Sequence, residues 1–392
     1  MKKILFIASA ILILLSGCEN FLDSELLTEK TTANFPETEK DAQEMVTAIY
    51  AHLLFESPET SSQYYIAQLA GDDCLGGNLS YSNNCATNFL MYSGNLNTFA
   101  GIWDRCYTLI NRANNAINTM ENVKSWSSES ERNRLFGESY FLRAMAYYEL
   151  AQVFGGVPLR TTLESTNLPR ASVDEIYAQD CSRLEKSAMK LNACKDLSEG
   201  SDMTGHATKY AAEAMMARVF LFYTGRYEKN ELPNGTTKEE VISWIDDCIN
   251  NSGHKLVSDQ RNIWAYTNDA TEDNTAGFRY QYVINHNLKW EGNSSDETLF
   301  ANKHNLKSDW TYTWFSNTCA QFYSPSADNY SNKDSYPFGT GWGAGPVSPA
   351  MVNEWKDWAA KQTYTDGYKE DPRLTGSIWS YKALDPNMPA TY

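Results

Sequence analysis

Basic residues, histidine and long apolar runs are all scarce in this 392-residue chain. Lys and Arg number 33 against 49 Asp and Glu, a formal charge of −16. Partners with a phosphate backbone need clustered Lys and Arg, so this balance excludes nucleic acid. The five histidines, His52, His206, His254, His286 and His304, show no His-x-x-x-His spacing, and zinc sites on helices need that spacing. Eight cysteines contain no Cys-x-x-Cys pair, which argues against a thiolate metal site or a disulfide framework; Cys74 and Cys85 are the candidates for a pair. The Gly-x-Ser-x-Gly elbow of nucleophilic hydrolases is missing too. Gly339 to Gly345 is glycine-rich, but no strand pattern precedes it and no Gly-Lys-Ser follows, so it reads as a turning loop and not as a phosphate cradle. Adjacent acids at Asp72-Asp73, Glu239-Glu240 and Asp246-Asp247 point apart on any regular element, whereas glycosidases set their carboxylates across a cleft. They read as solvated surface charge. No cofactor and no metal are expected.

The one long apolar run, Ile4 to Leu15, follows Lys2-Lys3 and ends in Leu15-Ser16-Gly17-Cys18. A membrane span needs roughly 20 apolar residues, and here Glu19-Asn20 follow at once. Charge, apolar run and small residues in that order form a secretory signal. Its ending resembles the bacterial lipobox, in which the cysteine is lipidated and becomes the mature N-terminus. Residues 1–17 are therefore expected to be a signal peptide, Cys18 the lipidation site, and 18–37 a lipidated polar tether. Buried acyl chains contribute about 0.8 kcal/mol per methylene, and stable anchoring takes more than one chain. Removing the signal leaves 392 − 17 = 375 residues, and loss of Lys2 and Lys3 takes the charge to −16 − 2 = −18.

Aromatic residues are plentiful: 11 Trp, 24 Tyr and 16 Phe, or 13% of the chain, against a mean hydropathy of −0.51. Most are expected to fill helix interfaces. With so hydrophilic an average, the remainder must face solvent or a ligand.

Helical periodicity dominates the first two thirds. A helix fits 38–55 on Met45, Ile49 and Leu53. The Asn, Ser and Gly text from Gly71 to Thr98 reads as a long exposed loop, a type that usually carries function. Trp103, Cys106, Tyr107, Ile110, Ala113, Ile117 and Met120 then form an amphipathic stripe. Ser128 with Glu131 forms a capping box opening a helix that is apolar nearly all round, and Gly155-Gly156 and Pro158 end it at Phe154. Ser172 with Glu175 forms a second box. Ala207, Ala211, Ala214 and Ala217 suit close helix approach in a helix from Gly205 to Tyr223, ended by Gly225. Val241, Trp244, Ile245, Cys248 and Ile249 mark another. Residues 254–346 lose the period and read as a loop-rich elaboration, with strand-like pieces at Tyr280–Asn285 and Glu297–Ala301. A short helix, 348–361, starts at Ser348-Pro349 with Val352, Trp355 and Ala359 inward. The pattern predicts a mainly α protein with one domain over 38–392 and a helical core at about 38–253. No 34-residue two-helix consensus recurs.

Three segments, taken with the lipobox, resemble the SusD/RagB-type outer-membrane lipoproteins: GESYFLRAMAYYELAQVFGGVPL from Gly137, PRASVDEIYAQD from Pro169, and TGHATKYAAEAMMARVFLF from Thr204. SPAMVNEW from Ser348 and DPRL from Asp371 are similar to that family's later landmarks. The resemblance implies a tetratricopeptide-like helical-pair scaffold bearing a loop-rich mixed region that holds a sugar site. It implies a surface-exposed, lipid-anchored outer-membrane protein that captures oligosaccharides and delivers them to a SusC-like TonB-dependent transporter, without catalysis. Family members continue well beyond the Asp-Pro-Arg segment, so the chain is expected to be C-terminally short. The competing readings are a helical surface glycoside hydrolase and a helical scaffold that binds protein or peptide.

Sugars present apolar C–H faces and hydroxyl edges, which suits aromatic platforms flanked by polar side chains. In Trp310-Thr311-Tyr312-Thr313-Trp314 a period of two sets Trp310, Tyr312 and Trp314 on one side of an extended segment, near Asn305, Asp309 and Asn317. The same alternation describes a half-buried strand with its aromatics in the core. Trp290, and Tyr81, Asn83 and Tyr92 in the long polar loop, are the secondary candidates.

Overall fold

Thr38 and Asp41 satisfy each other at the start of α1 (Glu39–Leu53). Asp41 Oδ2 accepts from Thr38 N at 3.0 Å, and Thr38 Oγ1 accepts from Asp41 N at 3.2 Å. From that cap Ala42, Met45, Val46, Ile49 and Leu53 recur at helical spacing and are all buried. In this computed structural model the described residues are 35–53, 71, 73–74, 97–164, 166–179, 187, 205–264, 267, 281–292, 295–302, 346–363 and 371–378. Cys18, most of the tether, Tyr280 and the Trp310 to Trp314 run lie outside them.

Two long helices form the centre, α2 (Asn97–Thr119) and α3 (Glu129–Phe154). The buried line on α2 is Ile102, Cys106, Leu109, Ile110, Ala113 and Ala116, continued by Met120. Trp103, Tyr107 and Ile117, part of the stripe in the sequence, flank it half-buried. Large aromatics sit better at the border of a helix contact, where rings can pack on neighbours while small residues allow close approach. On α3 the Ser128 hydroxyl caps Glu131 N at 3.0 Å, but the Glu131 carboxylate turns to Arg134 and Gln43. Burial runs nearly all round α3 from Arg134 to Ala151, because α1, α2 and α4 (Lys209–Tyr227) all pack on it. A buried Arg105–Glu149 ion pair ties α2 to α3.

The Gly-Gly-Val-Pro-Leu run leaves α3 as a strap pinned by polar side chains. Gly155 takes φ +67°, which favours glycine. At Gly156 a Cβ would lie 2.2 Å from the Ala171 carbonyl oxygen, so only glycine lets the two backbones pass. Tyr107 Oη donates to Pro158 O at 2.7 Å, while Tyr147 Oη both donates to Arg160 O and accepts from Arg160 N at 2.7 Å. Asn114 Nδ2 adds a bond to Arg160 O at 3.1 Å. Ser172 and Glu175 cap each other as the sequence predicts, at 2.7 and 3.2 Å, opening a helical stretch over 173–179.

Thr208 caps α4, which packs as a hairpin on α5 (Lys238–Asn251). Gly225 does not end α4. The helix runs on to Tyr227, and Glu228 supplies the left-handed residue at φ 54°. The last turn is held by rings, with Tyr223 4.9 Å from Tyr177 and 5.3 Å from Tyr227 between centroids. Thr237 and Glu240 form a complete capping box at the start of α5.

Beyond α5 the described chain is irregular, as the weakened period implies. Neither strand-like piece is a strand in its described residues. Gln281–Asn285 is a five-residue helix, α6, closed by Asn287 at φ 51° with Val283 and Leu288 buried, and Glu297–Ala301 is turn and coil. Phe300 meets Phe141 edge to face at 5.0 Å, which fastens this region to α3. Among the described residues β pairing is confined to one isolated antiparallel bridge, Cys74 with Val347. Helix α7 (Pro349–Ala359) starts on its proline as expected, with Ala359 buried and Val352 and Trp355 half-buried, and packs on α8 (Pro372–Ser377). Trp355 Nε1 donates to Asp371 Oδ2 at 3.2 Å, so the two late sequence landmarks meet in space.

Candidate functional site

Two clusters of buried ionisable groups lie inside helix contacts. Glu138, with no exposed surface, accepts from Arg134 at 2.6 Å and from His206 Nδ1 at 2.7 Å, and Tyr50 meets the His206 ring edge-on at 5.0 Å. Burial works against the Arg134 cation, yet Glu131 and Glu138 together hold its pKa above the ordinary value. Tyr50 is pushed up by burial and by the Glu138 charge, and its oxygen accepts from Ala207 N at 2.8 Å. The cluster clamps the entry of α4 onto α1 and α3.

The second cluster joins α4 to α5. Lys209 lies 2.5 Å from Asp247 Oδ2 and 3.4 Å from Glu213 Oε1. Asp247, a solvated charge by its sequence, is half-buried and also accepts from Asn251 at 2.6 Å. Burial, then the Asp247 charge, pushes Glu213 up to about 7. Both clusters tie helices together, the first through His206 at the entry of α4 and the second through Asp247 on α5 with Lys209 on α4.

The loop-rich region brings a different chemistry together. Residues 254–264 run past 287–292 and 295–298 in the opposite direction. His254 Nδ1 lies 3.0 Å from Asp296 O, and Lys255 pairs with the Asp296 carboxylate at 3.1 Å. Further along, Asn262 Oδ1 accepts from Lys289 N at 3.0 Å while Asn262 O accepts from Glu291 N, also at 3.0 Å. Asn262 stands in the 3-10 turn Gln260–Ile263, whose cap Asp259 accepts from Arg261 N at 3.0 Å and is gripped by the Arg261 guanidinium. That grip, with a smaller contribution from His286, holds the Asp259 carboxyl below the usual range.

Between Lys289 and Glu291 stands Trp290, one of the tryptophans that the sequence nominates, and it is half-buried. Five other described tryptophans have partners for their rings or indole N–H groups. Trp103 packs on Tyr107 and Phe154, Trp126 and Trp244 lie against the main core, Trp355 donates to Asp371, and Trp358 sits beneath the Arg373 guanidinium. Trp290 is outside the core cluster, and among the described residues its ring has no aromatic or cationic partner and its N–H no acceptor.

Trp310, Tyr312, Trp314, Tyr81, Asn83 and Tyr92 fall outside the described residues. Their flanks are informative. Ser348 N donates to Asp73 O at 2.7 Å beside the Cys74–Val347 bridge. The chain thus enters 75–96 next to the point where it leaves 303–345. Asn262, Asp259 and Arg261 are not singled out by the sequence. The signal there is an Asp-x-Arg-Asn turn, which reads as an ordinary loop until the segment it bonds to is known.

Comparison with known proteins adds to this geometry. The profile of a SusD-like family, described as starch-binding and associating with the outer membrane, matches residues 20–221, just over half of the chain. A SusD-like protein of Bacteroides ovatus is 23% identical over 289 residues, covering 71% of this chain and 50% of that one. The chain spans about half the length of the curated relatives it matches. Among solved structures, surface glycan-binding protein A from Bacteroides fluxus superposes with a TM-score of 0.63 at 21% identity, over 83% of this chain and 63% of that one. A laminarin-binding SusD-like protein gives 0.58 at 17% identity, over 89% and 68%. At such identities the likeness concerns the fold, which these helical structures share with the present chain.

Proposed function

The chain belongs to the SusD-like family, and from that premise we propose that it is a non-catalytic, surface-exposed glycan-binding lipoprotein. In this reading Cys18 carries the lipid that holds it at the outer membrane, and captured oligosaccharide passes to a SusC-like TonB-dependent transporter. The observation that carries the binding role is the contrast between a tightly bonded helical scaffold and a loop-rich flank that presents a tryptophan ring without a partner among the described residues. The bridge between Cys74 and Val347 supports it further, because one end of each polar, aromatic-rich run of the sequence, 75–96 and 303–345, joins the described chain there. An acidic body without a basic stripe suits a neutral polymer better than a polyanion.

Isothermal titration of the full chain with soluble laminarin and soluble starch, joined to affinity capture from detergent-solubilised outer membranes, tests the proposal. Saturable binding without release of shorter sugars, and co-capture of a transporter barrel, are the expected results. Release of oligosaccharide products by the purified chain would overturn the non-catalytic reading, and binding of neither polymer would overturn glycan capture.

A further inference from the structure

We propose that Trp290 is a sugar-stacking platform and that Asn262 is the residue that positions it. This deepens the glycan-binding reading above and rests on it. A loop tryptophan is ordinarily anchored through its ring, since that is where most of its apolar surface lies. At Trp290 the order is reversed. Both neighbours are held by a single residue, Lys289 N by Asn262 Oδ1 and Glu291 N by Asn262 O, each at 3.0 Å.

Asn262 is itself well fixed. Its N–H donates to Asp259 O at 2.9 Å, and its carbonyl also accepts from Thr267 Oγ1 at 3.2 Å. The Asp259–Arg261 fork makes the turn rigid and neutralises both charges. On the other side, buried Val283 and Leu288 anchor the chain just before the tryptophan, and Leu288 N donates to Val283 O at 3.0 Å.

The ring that this frame carries is half-buried and lies outside the main core. Among the described residues it has no stacking or cationic neighbour, and its indole N–H has no acceptor. Trp103 and Trp244, by contrast, pack against the main core. A held backbone with a ring like that of Trp290 is the arrangement of a preorganised contact. It suits a ligand with an apolar face for the ring and a hydroxyl oxygen for the N–H, which is what a pyranose offers. Ordering the segment in advance removes an entropic cost from binding.

The charges nearby sharpen the ligand class. Asp259 and Arg261 cancel each other, and exposed Lys289 and Glu291 carry opposite signs on either side of the tryptophan. Among the described residues around the ring there is no excess cation to attract a uronic or sulfated sugar, so the platform fits a neutral glycan.

The test is titration of the full chain and its variants with soluble laminarin and soluble starch. Trp290→Ala is expected to weaken binding about tenfold or more, and Trp290→Phe to weaken it less, because a ring remains. Asn262→Ala is expected to weaken binding severalfold with the melting transition of the helical scaffold unchanged. Asn262→Asp keeps an acceptor for Lys289 N and should recover most of the affinity, a rescue that a general loss of structure would not show. Binding by the unsubstituted chain that Trp290→Ala leaves unchanged would overturn the platform while the glycan reading stands. Equal losses for Asn262→Ala and Asn262→Asp would overturn the positioning role. No binding of either polymer by the unsubstituted chain would overturn the glycan reading and the platform together.

Discussion

Glu213 shows how one residue can tie the stability of a helix contact to pH. It is 3% exposed; among the described residues its Oε2 has no hydrogen-bond donor, and the cation beside it, Lys209, is shared with Asp247. Tyr210 on its own helix and Cys248 on α5 also lie within its electrostatic reach. Burial first, and the Asp247 charge after it, raise its pKa from 4.5 to about 7. The folded chain therefore binds the Glu213 proton more tightly than the unfolded chain does. The resulting stability is fully present below about pH 4.5 and is lost as the pH rises through about 7, on the order of 3 kcal/mol in all. Glu213→Gln keeps the shape and removes the titration. Its melting temperature should match the unsubstituted chain at pH 4.5 and exceed it at pH 8; parallel melting curves across that range would show an ordinary carboxyl. None of this is legible in the sequence, where Asp246-Asp247 looks like surface charge. Only the α4–α5 contact turns Asp247 toward Lys209 and Glu213.

Among the elements, glycines that look alike in sequence play opposite parts. Gly155-Gly156 and Gly225 both have the look of helix terminators. The first pair does end α3, and Gly156 is required because a Cβ there would lie 2.2 Å from Ala171 O. Gly225 lies within α4, and a Cβ there would meet nothing within 4 Å. Gly156→Ala should therefore cost at least about 2 kcal/mol, since backbone must move. Gly225→Ala should stabilise by about 0.5–1 kcal/mol through its better helix propensity. Urea unfolding of the two variants checks both signs. Helix existence and most starts are legible, because caps such as Ser172 with Glu175 are local chemistry. The α4 end is not, since the Tyr177, Tyr223 and Tyr227 rings that carry the helix past Gly225 come from two separate segments. The strand-like reading near Val283 fails for a similar reason: a short apolar run has no period of its own, and burial of Val283 and Leu288 decides for a turn of helix.

On the scale of the whole molecule, the proposed lipid on Cys18 is what would hold the protein at the membrane. Cys18→Ala is expected to move the protein from the membrane fraction to the soluble fraction while its affinity for a soluble glycan stays within about twofold; an unchanged membrane fraction would overturn the anchor. The helical core, its order along the chain and the family were determined by sequence alone, because periodicity, caps and the Gly-Gly-Val-Pro-Leu landmark are written in contiguous residues. The same local character lets the sequence nominate tryptophans without ranking them, for every one offers the same ring. Tertiary structure decided which described tryptophans are occupied by the fold and which has no ring or N–H partner among the described residues. Trp103, Trp126 and Trp244 found core partners, while Trp290 is held through its neighbour Lys289 by Asn262, 27 positions before that lysine in the chain. Hydrogen bonds between distant loop segments have no period to betray them, so that distinction exists only in the folded chain.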